Sequence, residues 1–436
     1  MKKAGVIHLG CAKNQVDTEI LMGFLKEMGY EFTSSEEEAD LLLVNTCAFI
    51  RPAYEEAEEN IKSLKRYEKD GKKIIVAGCY VERFKKELLE KFPFVDLFIG
   101  PGNYNEFKEL IRENSKGRVV TSPASSFLYN SKMERVLISS PHWAYVKISE
   151  GCNNFCSYCT IPYIRGRVRS RAIEDTAAEV KKLVNSGVRE INLIAQDTTR
   201  YGEDIYGKSS LLDLLKELNK IEGDFFIRIL YAYPTRISQD LVSFIKESEK
   251  IVPYFEIPLQ HVNNKILKNM NRPYTKEDIK RLWCMLREAF DDVVLRTTFM
   301  VGFPGETEDE FQELLEFIEE YYFDKIGVFT YYPEEGTIAK DLSLQVPEET
   351  KVKRLDLLMR KQQEISKKLN RKLLGKEFKV IIERSNGKVY YGRSWRDAPE
   401  VDGVIFVTSP SELSLGQEVK VKITKYKTYD LWGEVV

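Results

Sequence analysis

Three cysteines lie close together in the stretch Gly151-Cys152-Asn153-Asn154-Phe155-Cys156-Ser157-Tyr158-Cys159, with the spacing C-x3-C-x2-C. Thiolates this close in a loop can hold one metal centre from one side. Structural zinc usually takes four ligands in two pairs, yet the next Cys or His in the chain is His261. A 4Fe–4S cube suits three thiolates better, because its fourth iron then stays open to a small molecule. Zinc and a loop without metal remain the alternatives.

The same stretch resembles the cysteine signature of the radical S-adenosylmethionine (SAM) enzymes, including the aromatic residue, Tyr158, just before the last cysteine. The longer string from Ser149 to Asn153, with Ile161-Pro162-Tyr163 and Arg165-Gly166, is similar to one branch of them, the methylthiotransferases. The resemblance implies that Tyr158 contributes to a SAM site and that a 4Fe–4S cluster is bound by Cys152, Cys156 and Cys159.

Length and composition indicate a globular chain in a reducing compartment. Its 436 residues are 43% hydrophobic, which suits about two to four domains. We find no run of 18 apolar residues and no signal-peptide pattern, so we expect a cytoplasmic protein without a membrane partner. A disulfide framework is therefore disfavoured for the seven cysteines. The net charge of −2 is no global signature of a nucleic-acid binder.

Residues 1–130 are predicted to form an open parallel α/β sheet domain. Apolar runs at Ala4–Leu9, Asp40–Val44, Lys73–Ala77 and Val95–Gly100 have the length and composition of buried strands. Helical patterns lie between these runs, for example at Val16–Met28. Strands that alternate with helices indicate a parallel sheet with right-handed crossovers.

A second set of cysteines follows these strands. Cys11, Cys47 and Cys79 each come two or three residues after one of the first three apolar runs. Ligands bind beyond the carboxyl ends of the strands in open parallel sheets, and neighbouring strands are about 4.8 Å apart. Each cysteine alone would more often be a small buried residue, but three in the same topological place predict a second metal centre.

These cysteines lie in motifs that resemble the N-terminal domain of the methylthiotransferases. The motifs are Leu9-Gly10-Cys11-Ala12-Lys13-Asn14-Gln15, Asn45-Thr46-Cys47 and Gly78-Cys79. In that family these positions hold an auxiliary 4Fe–4S cluster, and the resemblance implies this role for Cys11, Cys47 and Cys79.

Residues 131–350, which follow a Ser-rich linker at Ser122–Glu134, are predicted to form a partial (β/α)6 barrel. Six strand-like runs alternate with helical patterns over roughly 200 residues, fewer than the about 250 of a closed eight-fold barrel. The resemblance implies the same radical-SAM architecture. Cys152 comes soon after the first run, Ala144–Ile148, which places the cysteine loop at the carboxyl end of the barrel, where barrel chemistry takes place.

Polar residues on or just after these strands are candidates for holding SAM: Gln196, Asp197, Arg228, Gln260, His261 and Arg296. A structural ion pair or a solvated loop is the alternative for each of them. The stretch Val301–Thr307 is favoured as a tight turn followed by a helix cap at Thr307, although it resembles the family stretch beside the cofactor. We therefore expect a cofactor site formed by Tyr158, Gln196, Gln260, Arg296 and Gly302.

The C-terminal part is predicted to contain a linker helix over 351–374 and a small all-β barrel over 375–436. By resemblance this barrel is a TRAM domain, which is OB-like. From Glu377 to Val436 it carries nine Lys and Arg and nine Asp and Glu, whereas an RNA platform should have a basic excess. Its acidic segment Arg396–Gly403 suits a basic protein partner and resembles the branch that modifies a ribosomal protein. Lysines in Lys420–Lys427 could still contact phosphate.

The resemblance implies that the chain methylthiolates an aspartate β-carbon on the small-subunit ribosomal protein of the decoding centre. Sulfur insertion at an unactivated C–H bond needs radical chemistry that a cofactor supplies, so no side chain is assigned a catalytic role. Two SAM molecules, two 4Fe–4S clusters and an electron donor of the flavodoxin or ferredoxin type are expected. The substrate would be the free protein or the assembled subunit. The alternatives are a tRNA adenosine methylthiotransferase and a non-enzymatic iron–sulfur or zinc protein that binds RNA or senses redox state.

Overall fold

A computed structural model describes residues 2–85, 87–113, 116–122 and 126–436. It contains an N-terminal parallel sheet, a central open barrel and a C-terminal closed barrel. The predicted α/β class and its all-β addition are confirmed. The linker expected at Ser122–Glu134 includes residues 123–125, which lie outside the described residues, but its Phe127 and Tyr129 are buried in a hydrophobic cluster that joins the first two parts.

The N-terminal sheet has six strands in the order β2-β1-β3-β4-β5-β6. All pairs in it are parallel. The strands are β1 (Lys2–His8), β2 (Tyr30–Thr33), β3 (Leu41–Thr46), β4 (Lys73–Gly78), β5 (Leu97–Ile99) and β6 (Arg118–Val120). The helices are α1 (Ala12–Glu27), α2 (Arg51–Ser63), α3 (Cys79–Phe84), α4 (Leu88–Lys91) and α5 (Phe107–Arg112).

The burial of each strand in this sheet explains whether the strand was predicted from the sequence. Strand β3 is buried at every position, as expected for a strand covered on both faces, and its apolar run was predicted. Strands β2 and β6 were not predicted, because they are short edge strands with partly exposed residues and no continuous apolar run.

The central sheet has six parallel strands in the order β14-β13-β12-β11-β10-β7, and its two edge strands do not pair. This is the open six-stranded barrel that was predicted. Its strands are β7 (Trp143–Lys147), β10 (Glu190–Ile194), β11 (Phe226–Ile229), β12 (Ile251–Glu256), β13 (Val294–Val301) and β14 (Lys325–Thr330). A separate two-residue ladder of β8 (Ser149–Glu150) and β9 (Arg169–Ser170) closes the base of the cysteine loop.

Eight helices accompany these strands within the described residues: α6 (Ile161–Arg165), α7 (Ile173–Asn185), α8 (Glu203–Tyr206), α9 (Leu211–Asn219), α10 (Gln239–Glu247), α11 (Asn264–Asn269), α12 (Lys276–Ala289) and α13 (Glu308–Glu320). Side-chain caps fix where several of them begin. Thr275 and Thr307 form capping boxes with Asp278 and Glu310, and each box satisfies two free backbone N–H groups. The predicted cap at Thr307 is thus confirmed.

A long helix, α14 (Glu348–Arg371), connects the open barrel to the C-terminal barrel. The latter is closed in the order β15-β16-β17-β19-β18. Its strands are β15 (Glu377–Ser385), β16 (Tyr390–Arg393), β17 (Ile405–Thr408), β18 (Glu418–Tyr426) and β19 (Leu431–Val435). Alternate residues of β18 are buried, so its two-residue periodicity reports the side that faces the core.

The acidic segment Arg396–Gly403 does not form the exposed surface that the sequence suggested. The carboxylates of Asp397 and Asp402 are 7% and 1% exposed. They form ion pairs with Lys325 and Arg296 on strands of the central barrel. The expectation that this segment binds a basic partner is therefore wrong for these two acids, because their charge is already matched inside the protein.

Candidate active site

Both sets of three cysteines line one cavity of about 650 Å³ between the N-terminal sheet and the central barrel. We call Cys152, Cys156 and Cys159 the loop triad, and Cys11, Cys47 and Cys79 the sheet triad. The sheet triad lies just beyond the carboxyl ends of β1, β3 and β4, and the loop triad follows β7 and β8. Both sets lie where the sequence predicted, after the carboxyl ends of strands. The fold brings the two sets to one cavity.

Glycines allow a tight backbone approach just before two of these cysteines, Cys11 and Cys152. Gly10 has a φ of +103°, and a Cβ there would lie 2.6 Å from the Cβ of Cys47. Gly151 has a φ of +80°, and a Cβ there would lie 2.2 Å from the carbonyl oxygen of Arg167. Only glycine combines such φ values with this lack of space, so the Gly-Cys pairs are required by the local geometry.

The donor set fits iron–sulfur clusters. Among the described residues, no three His, Cys, Asp or Glu side chains meet closely enough to hold a single metal ion. Three thiols spread around a cavity suit a cube of several irons, because each thiolate then binds a different iron.

Burial keeps most of these thiols protonated in the absence of a positive partner. It raises the pKa of Cys47 to about 12 and the pKa values of Cys79 and Cys152 to about 11. For Cys79, the nearby Arg165 guanidinium opposes this rise in pKa. Metal binding would supply the positive charge and release the protons.

A buried charge network contacts the sheet triad and reaches Glu150, two residues before the loop triad. Arg165, at the end of α6, donates to Cys79 of the sheet triad and pairs with Asp17 and Glu150. Lys147 also pairs with Glu150, at 2.6 Å. Burial by itself would raise the pKa of Glu150, but the charges of Lys147 and Arg165 lower it below its ordinary value. The Glu150 carboxylate is thus kept ionised, and its ion pairs with Lys147 and Arg165 hold the backbone just before the loop triad in place.

Three of the expected SAM-contacting residues, Tyr158, Gln196 and Gln260, do line the cavity, as does Asp197. The Gln196 amide donates to Glu150 at 2.6 Å. Gln260 adopts a left-handed backbone with φ of +68°, which is uncommon for a residue with a side chain and frequent at functional sites. Their cofactor contacts remain a prediction.

Arg296 and Gly302 are not among the residues that line this cavity, and their cofactor contacts stay a prediction. Arg296 forms an ion pair with Asp402 and lies 3.5 Å from Glu256. Gly302 packs against α14, where a Cβ would lie 2.2 Å from Cγ of Lys351. Both residues serve contacts between the parts of the chain, since their side-chain positions face protein and not the cavity.

Arg228 and His261 are buried in structural contacts as well. Arg228 pairs with Glu190 at 3.1 Å and donates to the Trp395 carbonyl at 2.6 Å. Nε2 of His261 lies 3.4 Å from the Glu306 carboxylate. The alternative of a structural partner therefore holds for these two candidates.

Sequence reasoning missed several residues that line the cavity, among them Lys13, Tyr231, Glu256 and Arg272. Lys13 stands in the quoted Cys11 motif, so its position two residues after a ligand was an available signal. Arg272 donates to the Tyr158 hydroxyl at 3.2 Å and lies 3.6 Å from Sγ of Cys156. Nothing in its local sequence pointed to this contact.

Comparisons with known proteins agree with this architecture. Three family models match: the uncharacterized protein family UPF0004 over residues 3–100, the radical SAM superfamily over 146–318 and the TRAM domain over 374–436. The radical SAM methyltransferase TsrM from Kitasatospora setae superposes with a TM-score of 0.55 at 14% identity, over 75% of this chain and 73% of that chain. The radical SAM enzyme OxsB gives 0.53 at 12%, over 84% and 62%. At these identities the likeness concerns the fold alone.

Relatives of much higher identity match from end to end. The ribosomal protein uS12 methylthiotransferase RimO of Dictyoglomus thermophilum is 64% identical, with 100% of both chains covered. The chain belongs to this family. The RimO protein of a Thermoanaerobacter species is 46% identical over 100% of both chains. As a member of the RimO family, the chain is a radical SAM methylthiotransferase with 4Fe–4S clusters and SAM as cofactors.

No described helix of this RimO family member combines the length and the apolar character needed to cross a bilayer. The family assignment also identifies which open alternatives can be set aside. A non-enzymatic iron–sulfur or zinc protein is not compatible with it, and the tRNA methylthiotransferase is not favoured.

Proposed function

We propose that the chain transfers a methylthio group to the β-carbon of an aspartate in ribosomal protein uS12. The observation that carries this proposal is the single cavity that both cysteine triads line. A methylthio transfer has to bring hydrogen removal and sulfur delivery to the same carbon, which two separate pockets could not do. One shared cavity meets this requirement.

The cysteines have different tasks in this proposal. The loop triad holds a cluster beside SAM, and the sheet triad holds the auxiliary cluster that presents the sulfur. When bound, these groups supply the radical chemistry and the methylthio group. The proposal assigns one task to each part of the chain: sulfur delivery to 1–130, SAM binding to 131–350, connection to 351–374 and partner contact to 375–436.

The side chains of the cavity position the reactants. We assign Tyr158, Gln196 and Gln260 to the SAM side, since all three line the cavity with the loop triad. Arg272 fixes the Tyr158 ring through its hydroxyl at 3.2 Å. Most of the lining is apolar or already hydrogen-bonded, which limits water around the reacting carbon.

The cavity mouth suits a loop of a protein substrate. Phe49 of the N-terminal sheet domain and Phe329 of β14 line the cavity and are 37% and 55% exposed. Exposed aromatic side chains at a concave site are typical of surfaces that bind a partner. Both rings are therefore available to contact a loop of the substrate protein.

Charge on the C-terminal barrel favours a protein over tRNA. Its nine basic and nine acidic residues balance, and the buried Arg393, Arg396, Asp397 and Asp402 remove equal numbers of both signs from the surface. Nucleic-acid binding depends mainly on a basic excess. We also propose an electron donor of the flavodoxin or ferredoxin type and a substrate either free or within the assembled small subunit.

The test uses the full chain, reconstituted anaerobically with iron and sulfide, together with SAM, dithionite and purified uS12. Mass spectrometry should find one added methylthio group on a peptide of uS12, at an aspartate. The matched variant replaces Cys11, Cys47 and Cys79 by Ala and should cleave SAM without adding sulfur. Addition to tRNA and not to uS12, or full transfer by that variant, would overturn the proposal.

A further inference from the structure

Lys13 brings a positive charge to the cavity beside the sheet triad. It is the second residue of α1 and follows Cys11 by two positions, and it lines the cavity together with both triads. Its Nζ lies 3.3 Å from the centroid of the Tyr231 ring. This is close contact for a cation–π interaction, which orients an ammonium group without neutralising its charge.

Tyr231, whose ring Lys13 contacts, has an unusual backbone conformation. Tyr231 has a φ of +62°, and for a bulky residue such a value persists only where the surroundings enforce it. Here the Thr198 amide and hydroxyl both donate to the Tyr231 carbonyl at 3.1 Å, and the Tyr231 amide donates to Glu256 at 3.3 Å. The ring is therefore fixed in place below the ammonium.

The acid nearest to this arrangement has other partners. Glu256 accepts from the Tyr231 amide and lies 3.5 Å from Nε of Arg296. Glu256 attracts Lys13 electrostatically, without a hydrogen bond between the two side chains in the described part of the chain. The close contact of the Lys13 ammonium is thus the Tyr231 side chain, and no carboxylate forms an ion pair with it among the described residues.

Two other cations line the cavity among the described residues, and both are occupied. Arg165 donates to Cys79 and pairs with Asp17. Arg272 donates to the Pro258 carbonyl at 2.6 Å and to the Tyr158 hydroxyl at 3.2 Å. Of the three, Lys13 is the cation whose close contacts leave it able to bind an anionic group.

We propose that Lys13 binds the side-chain carboxylate of the substrate aspartate and so selects this residue for modification. The inference rests on the proposed function. In aspartate the β-carbon is bonded directly to the carboxyl carbon, so an ammonium that fixes the carboxylate also fixes the carbon to be modified. Because Lys13 follows Cys11, this carbon is held on the side of the cavity from which sulfur is delivered.

The experiment compares two forms of purified uS12, one with the natural aspartate and one with asparagine in its place. Asparagine keeps the size and removes the charge. Binding to the reconstituted enzyme is measured by fluorescence anisotropy without reductant, so no turnover occurs. Wild-type enzyme should prefer the aspartate form roughly tenfold to a hundredfold, the range of a charge-assisted hydrogen bond. Lys13→Met should bind both forms alike, and Lys13→Arg should retain part of the preference.

Lys26→Met is the matched control. Lys26 lies on the same helix, is paired with Glu134 at its surface end and is 57% exposed, so the variant loses the same charge outside the cavity. It should keep the full preference. Thermal unfolding and iron content establish that Lys13→Met is folded and loaded before binding is compared.

A SAM molecule also carries a carboxylate that could bind Lys13. The same variants distinguish SAM from the substrate aspartate as the bound group. The affinity for SAM is measured by equilibrium dialysis. Weaker SAM binding by Lys13→Met with an unchanged aspartate preference would overturn the inference and assign Lys13 to the cofactor. An unchanged preference with unchanged SAM binding would overturn it as well. Failure of wild-type enzyme to modify uS12 would instead refute the proposed function, which is a separate readout.

Discussion

The Arg165 guanidinium donates two hydrogen bonds to Sγ of Cys79, over 3.2 Å from Nε and 3.1 Å from Nη2. Arg165 belongs to the segment that directly follows the loop triad, whereas Cys79 belongs to the sheet triad. A side chain from the segment after the loop triad thus contacts the sheet triad across the boundary between the N-terminal sheet and the central barrel. Hydrogen bonds to cluster sulfurs are one of the means by which proteins set reduction potentials.

Arg165→Lys should lower the reduction potential of the cluster at the sheet triad. Lysine keeps the positive charge beside Asp17 and Glu150 but cannot reproduce the planar pair of donors. Weaker donation to Cys79 stabilises the reduced cluster less. Redox titration followed by electron paramagnetic resonance, on the reconstituted chain, measures both clusters separately.

The converse variant, Arg272→Lys, provides the control for this prediction. Arg272 lies 3.6 Å from Sγ of Cys156 and contacts no residue of the sheet triad. It should shift the potential of the cluster at the loop triad and leave the other unchanged. If both variants moved the same cluster, the assignment of Arg165 would be wrong.

Removal of the sheet triad should halve the iron content. Wild-type chain should bind about eight irons, from two cubes, and the variant with Ala at Cys11, Cys47 and Cys79 about four. The seventh cysteine, Cys284, lies on α12 outside the cavity, so Cys284→Ala should keep all the iron. Iron and sulfide analysis after anaerobic gel filtration gives these numbers, and complete retention by the triple variant would contradict a second cluster.

Asp402→Asn should destabilise the chain by ~3–5 kcal/mol, the usual cost of removing one partner from a buried ion pair. The Asp402 carboxylate is 1% exposed, pairs with Arg296 and accepts from the Tyr254 hydroxyl at 2.6 Å. Its loss leaves the buried Arg296 guanidinium with only Glu256, 3.5 Å from its Nε, as a counter-charge. Urea unfolding measures the change, and the exposed Glu412→Gln on the same barrel should stay within about 0.5 kcal/mol of wild type.

Acidification should weaken the same contact. Burial alone would raise the pKa of Asp402, but the charges of Lys325 and Arg296 lower it below its ordinary value. A carboxyl with a lowered folded-state pKa adds stability that is complete above its unfolded pKa of about 4 and is lost as the pH falls through the folded value. The free energy of unfolding of the metal-free, reduced chain should therefore fall more steeply below pH ~4 in wild type than in Asp402→Asn. Equal slopes would show that Asp402 is not ionised in the folded chain.

The sequence by itself determined the three-part fold and singled out the six cysteines that are predicted to be ligands. The buried parallel strand Leu41–Thr46 begins with a continuous apolar run, and in the small barrel strand β18 buries every second residue. Both signals are local and need no partner to be recognised. The cysteines were identifiable for the same reason, because their spacing and their position after each strand are properties of short segments.

Only the tertiary structure decided which charged residues are available to a ligand. Arg296 was expected at the cofactor, but its partner Asp402 is 106 positions away, and no local pattern shows that the two meet. For the same reason the sequence does not show that the acidic segment Arg396–Gly403, predicted to bind a partner, is largely buried between the two barrels. Nor does it show that the Lys13 ammonium contacts the ring of Tyr231. The sequence gives the charge of each side chain. Whether that charge is neutralised depends on which distant group the fold brings beside it.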